Sequence, residues 1–396
     1  MIQARSRAVA ALERQRRWRN AYRNRPIASG VHATMTLASG RLAVAFLCGA
    51  LLAVGLTRES AAADLAETAR FLAGKGVASD SALAPHARAE SYAEYAEHIR
   101  SGWQQFEQAN LERMRTWWAG RAPAKYATVL YPFSGPDIGN ALVFFPDADT
   151  YLLFGLEPPG TIPDLQAMDD EAISAGLSEL EASLSTMLQV NYFFTKAMAK
   201  QLGKGPFNTT AGLLLFFLAM NDCDVTGARR IAIGRRDALV QGIEITFRRA
   251  GGKQQTIRYF TVNVADTYLA KSSPDFLPYL KSRGRVVTMI KSASYLMHQD
   301  GIAEPVHFEQ IRSLILAQSD FVVQDDSGVP LRLFAREAWK LRFHGRYEAP
   351  TPEFGKHLQR DLKVEMERNS SGRLPFSYGY AYRQGESNLM IAERAR

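Results

Sequence analysis

Apolar side chains recur at three- and four-residue steps through residues 86–118, placing Tyr92, Tyr95, Ile99, Trp103, Phe106, Met114 and Trp117 on one face. The spacing predicts one long amphipathic helix, opened by Pro85 and closed by Gly120 to Pro123, with Asn110 the polar break in its stripe. Beyond Pro123 the pattern changes. Thr128 to Tyr131 reads as a short strand, Pro132 to Asp137 as a turn, and Ile138, Ala141, Leu142 and Phe145 as a helix. Thr150 to Gly155 then forms a second strand, so the segment predicts a βαβ unit.

Asp169 and Asp170 open another long helix, with Ile173, Leu177, Leu180, Leu184, Met187, Phe194, Met198 and Leu202 on one side and Gly203 at its C-terminal cap. Ala211 to Met220 is apolar without a break. Ten residues fall short of a bilayer, so a helix buried on all sides is expected. From Ala228 to Val264 the period becomes two, as in an antiparallel meander: Ile231 and Ile233, then Ile243, Ile245 and Phe247, then Phe260, Val262 and Val264. Val286 to Ile290 reads as a strand entering a helix over Ser292 to His298. Phe308 to Ile315 reads as a helix before the strand Phe321 to Gln324, and the tail from Ser370 as loops or an edge strand.

The expected fold class is therefore α/β (mixed α+β): a mixed sheet with an antiparallel meander, flanking helices and the long N-terminal amphipathic helix. Residues 64–122 form the helical segment and 123–396 the α/β domain, whose two-subdomain version breaks near 205–228.

The front of the chain carries a different signal. Residues 42–57 hold no charge, and Ala61-Ala62-Ala63-Asp64 offers a small-residue cleavage site, as in an export signal. Sixteen residues of helix span about 24 Å, short of the roughly 30 Å a membrane anchor must cross. Residues 35–63 are thus expected to be a cleaved signal peptide, with Met35 as the start and 1–34 as an over-called basic extension. The alternative is an inner-membrane anchor through 42–57 with a basic cytoplasmic tail. Either version exports the body, to the periplasm or beyond.

That leader also changes the charge. The chain carries a formal +8, but residues 1–63 hold ten of its 48 basic and two of its 40 acidic residues. The remainder is balanced, which leaves no cationic footprint for nucleic acid. One of the two cysteines, Cys48, lies in the apolar run, so Cys223 stands alone and the body has neither an internal disulfide nor a cysteine metal site.

Three loops carry the candidate chemistry. Ser134-Gly135-Pro136-Asp137 follows the first strand at a helix start, where Ser134 would bind and Asp137 would act. Gln324-Asp325-Asp326-Ser327 ends a buried-looking strand; Asp325 and Asp326 there suit acid–base work or a divalent cation, with Ser327 as a binding residue. Neighbouring side chains on extended backbone point to opposite faces, so only one of those two carboxylates should enter a shared site. Asn221-Asp222-Cys223-Asp224 is read as a helix end whose Asp222 and Asp224 bind a cation or an arginine, Arg229 or Arg230. His298 is a candidate catalytic residue at the end of its own predicted helix. No HExxH, GxSxG, SxxK, phosphate loop or EF-hand is present.

The stretches YPFSGPD (131–137), FFPDADTYLLFGLEPPG (144–160), KSASYLMHQD (291–300), QDDSGVP (324–330) and LPFSYGY (374–380) resemble segments of an uncharacterised family of exported bacterial proteins. The resemblance covers most of 125–390; it implies export and carries no catalytic residues. The expected function is binding or modifying a small envelope component through an acidic, loop-built cleft. The alternative is a non-catalytic envelope protein that docks a partner on the aromatic face of residues 92–117.

Overall fold

The computed structural model describes residues 62–193, 207, 209–299, 306–381, 383 and 385–395. Helix α1 is Ala62–Leu72, α2 is Glu90–Phe106 and α3 is Glu112–Trp118; a single π-helical turn, Glu107–Leu111, joins α2 to α3. That wide turn changes the phase of the stripe. Of the neighbouring pair it is Trp118, not Trp117, that is buried, and its indole N–H donates to the Phe144 carbonyl at 2.5 Å. Asn110, which the periodicity treats as a defect, sits in the π turn and accepts hydrogen bonds from the Ser377 backbone N–H (3.0 Å) and hydroxyl (2.6 Å). The aromatic face is covered by the chain itself. Tyr92, Tyr95, Ile99, Trp103 and Phe106 are buried, and Trp103 meets Phe216 and Phe217. This corrects the docking-face reading: the stripe is core, and no large apolar surface is left there for a partner.

Strand β1 (Thr128–Pro132), helix α4 (Ile138–Phe144) and strand β2 (Thr150–Gly155) form the expected βαβ unit, β1 and β2 pairing in parallel with Leu130 opposite Leu152. Helix α5 spans Asp170–Val190 and stops because Asn191 turns left-handed (φ 59°) as its C-cap. The predicted continuation to Leu202 and Gly203 falls outside the described residues. Every residue of α6 (Thr210–Met220) is buried, which accounts for its unbroken apolar run. The meander is β3 (Cys223–Ile233), β4 (Val240–Arg249) and β5 (Gln254–Thr261). β3 starts earlier than the periodicity suggests, so Cys223 and Asp224 lie on a strand.

Helices α7 (Asp266–Ser272) and α8 (Phe276–Lys281) lead to β6 (Val286–Ile290), then α9 (Glu309–Gln318) to β7 (Ser319–Gln324). Strand β8 (Trp339–Gly345), helix α10 (Arg360–Asn369) and strand β9 (Asn388–Arg394) complete the chain. The sheet order is β3-β4-β5-β2-β1-β6-β7-β9-β8. The tail strand β9 is therefore an interior strand, and β8 forms the edge. In place of the helix expected over Ser292 to His298 there is only a short 3₁₀ turn, Leu296–His298. Ser292, Ser294 and Tyr295 before it all have φ near +53°.

Each face of the sheet carries its own apolar layer. Helices α1 to α6 pack on one face; α7 to α10 cover the other. The helical segment shares the first of these layers. The topology then fixes where a site belongs. β1 and β6 are neighbours, but β1 leads to β2 on one side and β6 to β7 on the other. Right-handed crossovers leaving in opposite directions put α4 and α9 on opposite faces, and the connections part at the carboxyl ends of β1 and β6, the position where open α/β sheets bind their ligands.

Candidate functional site

Four loops meet at that carboxyl edge. From the β1 loop comes Asp137, 2 % exposed, which caps α4. Its Oδ1 accepts from the Asn140 amide at 2.8 Å and its Oδ2 from the Tyr131 hydroxyl at 2.8 Å. From the end of β6 comes Lys291, whose Nζ lies 2.5 Å from Asp137 Oδ2 and 3.3 Å from Asn191 Oδ1. Both partners of this ion pair are almost wholly removed from water. An ammonium has three donors, and these are the two acceptors recorded for it among the described residues. Burial pulls the lysine's proton affinity down, while Asp137 and then Asp325 hold it up.

The β7 loop supplies Asp325 and Asp326. Asp325 Oδ1 accepts from the Ser327 hydroxyl (2.6 Å) and Oδ2 from the Ser292 backbone N–H (3.2 Å). Burial, reinforced by the neighbouring Asp326 charge, pushes Asp325 up to about 7. Asp326 has a different set of donors. It accepts from the Tyr295 hydroxyl and from the Asn388 amide (2.9 Å), and burial raises its pKa as well. Ser327 also accepts from the Ala293 N–H at 2.8 Å, pinning the β6 loop to the β7 loop.

Two buried oxygens in this neighbourhood have no hydrogen-bond partner among the described residues: Asn140 Oδ1 and the Ser292 hydroxyl. Rotating the Asn140 amide does not help, because its NH₂ already serves Asp137 Oδ1 and Asn191 Oδ1. Unpaired buried polar atoms are uncommon, and here they border a buried charge. The tail passes across the edge as a strap. The Ser377 carbonyl accepts from Asn191 (2.8 Å), the Tyr378 hydroxyl donates to the Ile290 carbonyl (3.1 Å), and the Tyr380 hydroxyl donates to the Ser292 carbonyl (2.8 Å).

Asp137, Asp325 and Ser327 are thus brought together, and Ser134 lies buried on the same loop as Asp137, its hydroxyl turned back to the Gly135 carbonyl (3.0 Å). His298 belongs to the Asp326 side, its ring 5.1 Å from that of Tyr295 and 5.6 Å from that of His357. Asp222 and Asp224 do not join. They stand where β3 begins, at the opposite end of the strands, and Asp222 pairs with Lys75 at 2.7 Å rather than with Arg229 or Arg230. Arg229 pairs instead with Glu244. Among the described residues no three His, Cys, Asp or Glu side chains gather closely enough to hold a metal ion.

The sequence reading missed Lys291, Asn140, Asn191 and the buried Glu157 after β2, whose pKa burial raises. A lysine directly after the apolar run Val286 to Ile290 was the available signal for the first. Comparison of the chain with protein-family models, curated proteins and solved structures gave no match.

Replacing Asp325 by asparagine isolates its titration. A carboxyl whose folded pKa lies above its ordinary value binds its proton more tightly in the folded chain. Its contribution to stability is full below about pH 4 and is lost as pH rises to about 7. The Asp325→Asn variant lacks this loss, so its stability relative to the parent should climb between pH 4 and 7 and level off above. Urea unfolding across that range reads it; a difference independent of pH would contradict the shift.

Proposed function

We propose that the carboxyl edge of β1, β6 and β7 performs acid–base chemistry on a small polar molecule, Asp325 moving the proton and Lys291 presenting positive charge to the group that gains electrons. One observation carries the reading: a lysine and two carboxylates, each nearly sealed from water, gather where the connections of neighbouring strands diverge. Burying charge is costly and is retained where it is used, so clustered, shifted ionisable groups mark a candidate site. A carboxyl near pH 7 can both give and take a proton there. The left-handed backbone at Ser292, Ser294 and Tyr295 is the kind of strain that collects at working sites.

The test is turnover of activated p-nitrophenyl esters and phosphates by the parent and by Asp325→Asn. Activity that loses its ionisation near neutrality in the variant supports the proposal; equal turnover by both folded proteins sinks it. A second reading is favoured by the fact that both oxygens of Asp325 and of Asp326 already have donors. On that reading the cluster is a polar keystone tying four loops, and no substrate tested is turned over while the pH-dependence of stability remains.

We also propose that the body is exported and meets a small molecule or another envelope component there. The first packed side chain after the cleavage site is Leu65, 2 % exposed, so cutting before Asp64 leaves the apolar layer whole. The exported product should begin at or near Asp64 by intact mass. Full-length chain held in the membrane fraction would make it an anchored protein instead. Among the described residues no helix is long and apolar enough to cross a membrane, and residues 42–57 lie outside them.

A further inference from the structure

At the opposite end of the parallel strands, a cleft of about 620 Å³ opens beneath the loop after α3. Trp118, Leu142 and Pro146 give it an apolar lining; Arg115, Lys125 and Arg249 give it positive charge. Arg115 is answered by Glu107 at 3.1 Å. Lys125 and Arg249 have no carboxylate within ion-pair reach among the described residues. Arg249 donates from Nη2 to the Leu142 carbonyl at 3.0 Å and has the Cys223 thiol as a hydrogen-bonding neighbour. The buried Cys223 thiol nearby does not neutralise it, since burial pushes that group up. A half-buried guanidinium that lines a cleft without a carboxylate partner leaves its charge unanswered, and the planar fork suits a carboxylate.

A neighbouring cleft of about 480 Å³ on the far side of the same loop lacks this feature. Its Arg342 is paired with Glu393 at 3.3 Å, Arg121 lies over the Trp117 ring, and burial, followed by the charges of Arg121 and Arg342, holds His344 down to about 4, so it is neutral.

We infer that the larger cleft binds a small amphipathic carboxylate, its head held by Arg249 and Lys125 and its apolar body lying against Trp118, Leu142 and Pro146. The charge balance selects the class. With Arg115 occupied and Asp147 in the lining, about one positive charge is left to answer, which matches a monoanion better than a dianionic phosphate ester. The site is separate from the carboxyl edge and stands or falls independently of it.

Octanoate is the probe, with octanol and octyl phosphate as comparisons, measured by calorimetric titration of the full body. The expected result is saturable octanoate binding by the parent, no saturable binding of octanol, and weaker binding of octyl phosphate. Arg249→Gln should weaken octanoate by about tenfold or more, the scale of a lost charge-assisted pair. Because Arg249 also bonds Leu142, Lys125→Glu serves as a second variant: Lys125 is exposed, so this change should weaken binding without touching the fold. Absence of octanoate binding by the parent, equal binding of octanol, tighter binding of octyl phosphate, or parental affinity in both variants each overturns the proposal.

Discussion

Lys291→Met should lower the unfolding free energy by about 3–5 kcal/mol, the scale seen when one partner of a buried ion pair is removed. The effect comes less from the lost attraction than from the charge left behind. Asp137 keeps the Tyr131 hydroxyl and the Asn140 amide, but without the ammonium its negative charge stays buried with no counter-ion. Asn191 Oδ1 loses a donor as well and retains only Asn140. The double variant Lys291→Met with Asp137→Asn should regain much of the loss, since the asparagine is neutral and its oxygen can still cap α4. A urea-denaturation cycle on the four proteins gives the coupling directly. A single-variant loss below about 1 kcal/mol, typical of an exposed pair, would show that the pair is solvated and would remove the basis for reading the edge as a site.

How much of this was legible beforehand depended on whether the signal was local. β1, β2, β6, β7 and the meander are written in periods of two and in short apolar runs. The all-apolar run of α6 can only be a helix that meets protein on every side, as it does. Asp137 and Asp325 were visible because each follows an apolar strand in turn-forming company, and turn chemistry is local. Which ends of the strands those turns occupy is a property of topology. That is why Asp222 and Asp224 were grouped with them, although they sit at the other edge.

Lys291 was hidden for the same reason. A lysine after an apolar strand is ordinarily a solvated strand end, and only the pairing of β1 with β6 puts it against Asp137. The π turn at Glu107–Leu111 rearranges a helix without a glycine or proline to announce it. The partner of its Asn110, Ser377, lies 267 residues away. β9 was masked by its approach: Gly, Tyr, Ser and Arg precede it, while Leu389 to Ala392 themselves form an apolar run fit for an interior strand. Ser292, Ser294 and Tyr295 gave no warning of left-handed backbone, because serine and tyrosine are not the residues that adopt it readily.

The strap that crosses the site supplies the second large effect. Gly379 has φ +74°, and a Cβ built there would overlap the Asp325 carboxylate. Gly379→Ala must therefore hold an L-residue in the left-handed region and displace a carboxylate that is itself pinned by Ser327 and the Ser292 N–H. A loss of about 2–4 kcal/mol is expected, of which roughly 1–2 kcal/mol is the backbone term. Gly385→Ala measures that term alone: its φ is +78°, and the nearest atom a Cβ would meet is Arg373 Cδ at 3.3 Å, on a flexible side chain. The difference between the two variants is then the steric cost of moving Asp325. Because the carboxylate leaves its donors, Gly379→Ala should also alter the change of stability between pH 4 and 7, while Gly385→Ala leaves it intact. Equal losses and unchanged pH profiles in both variants would mean that the strap yields to the methyl group, and that Asp325 is not held in place by the tail.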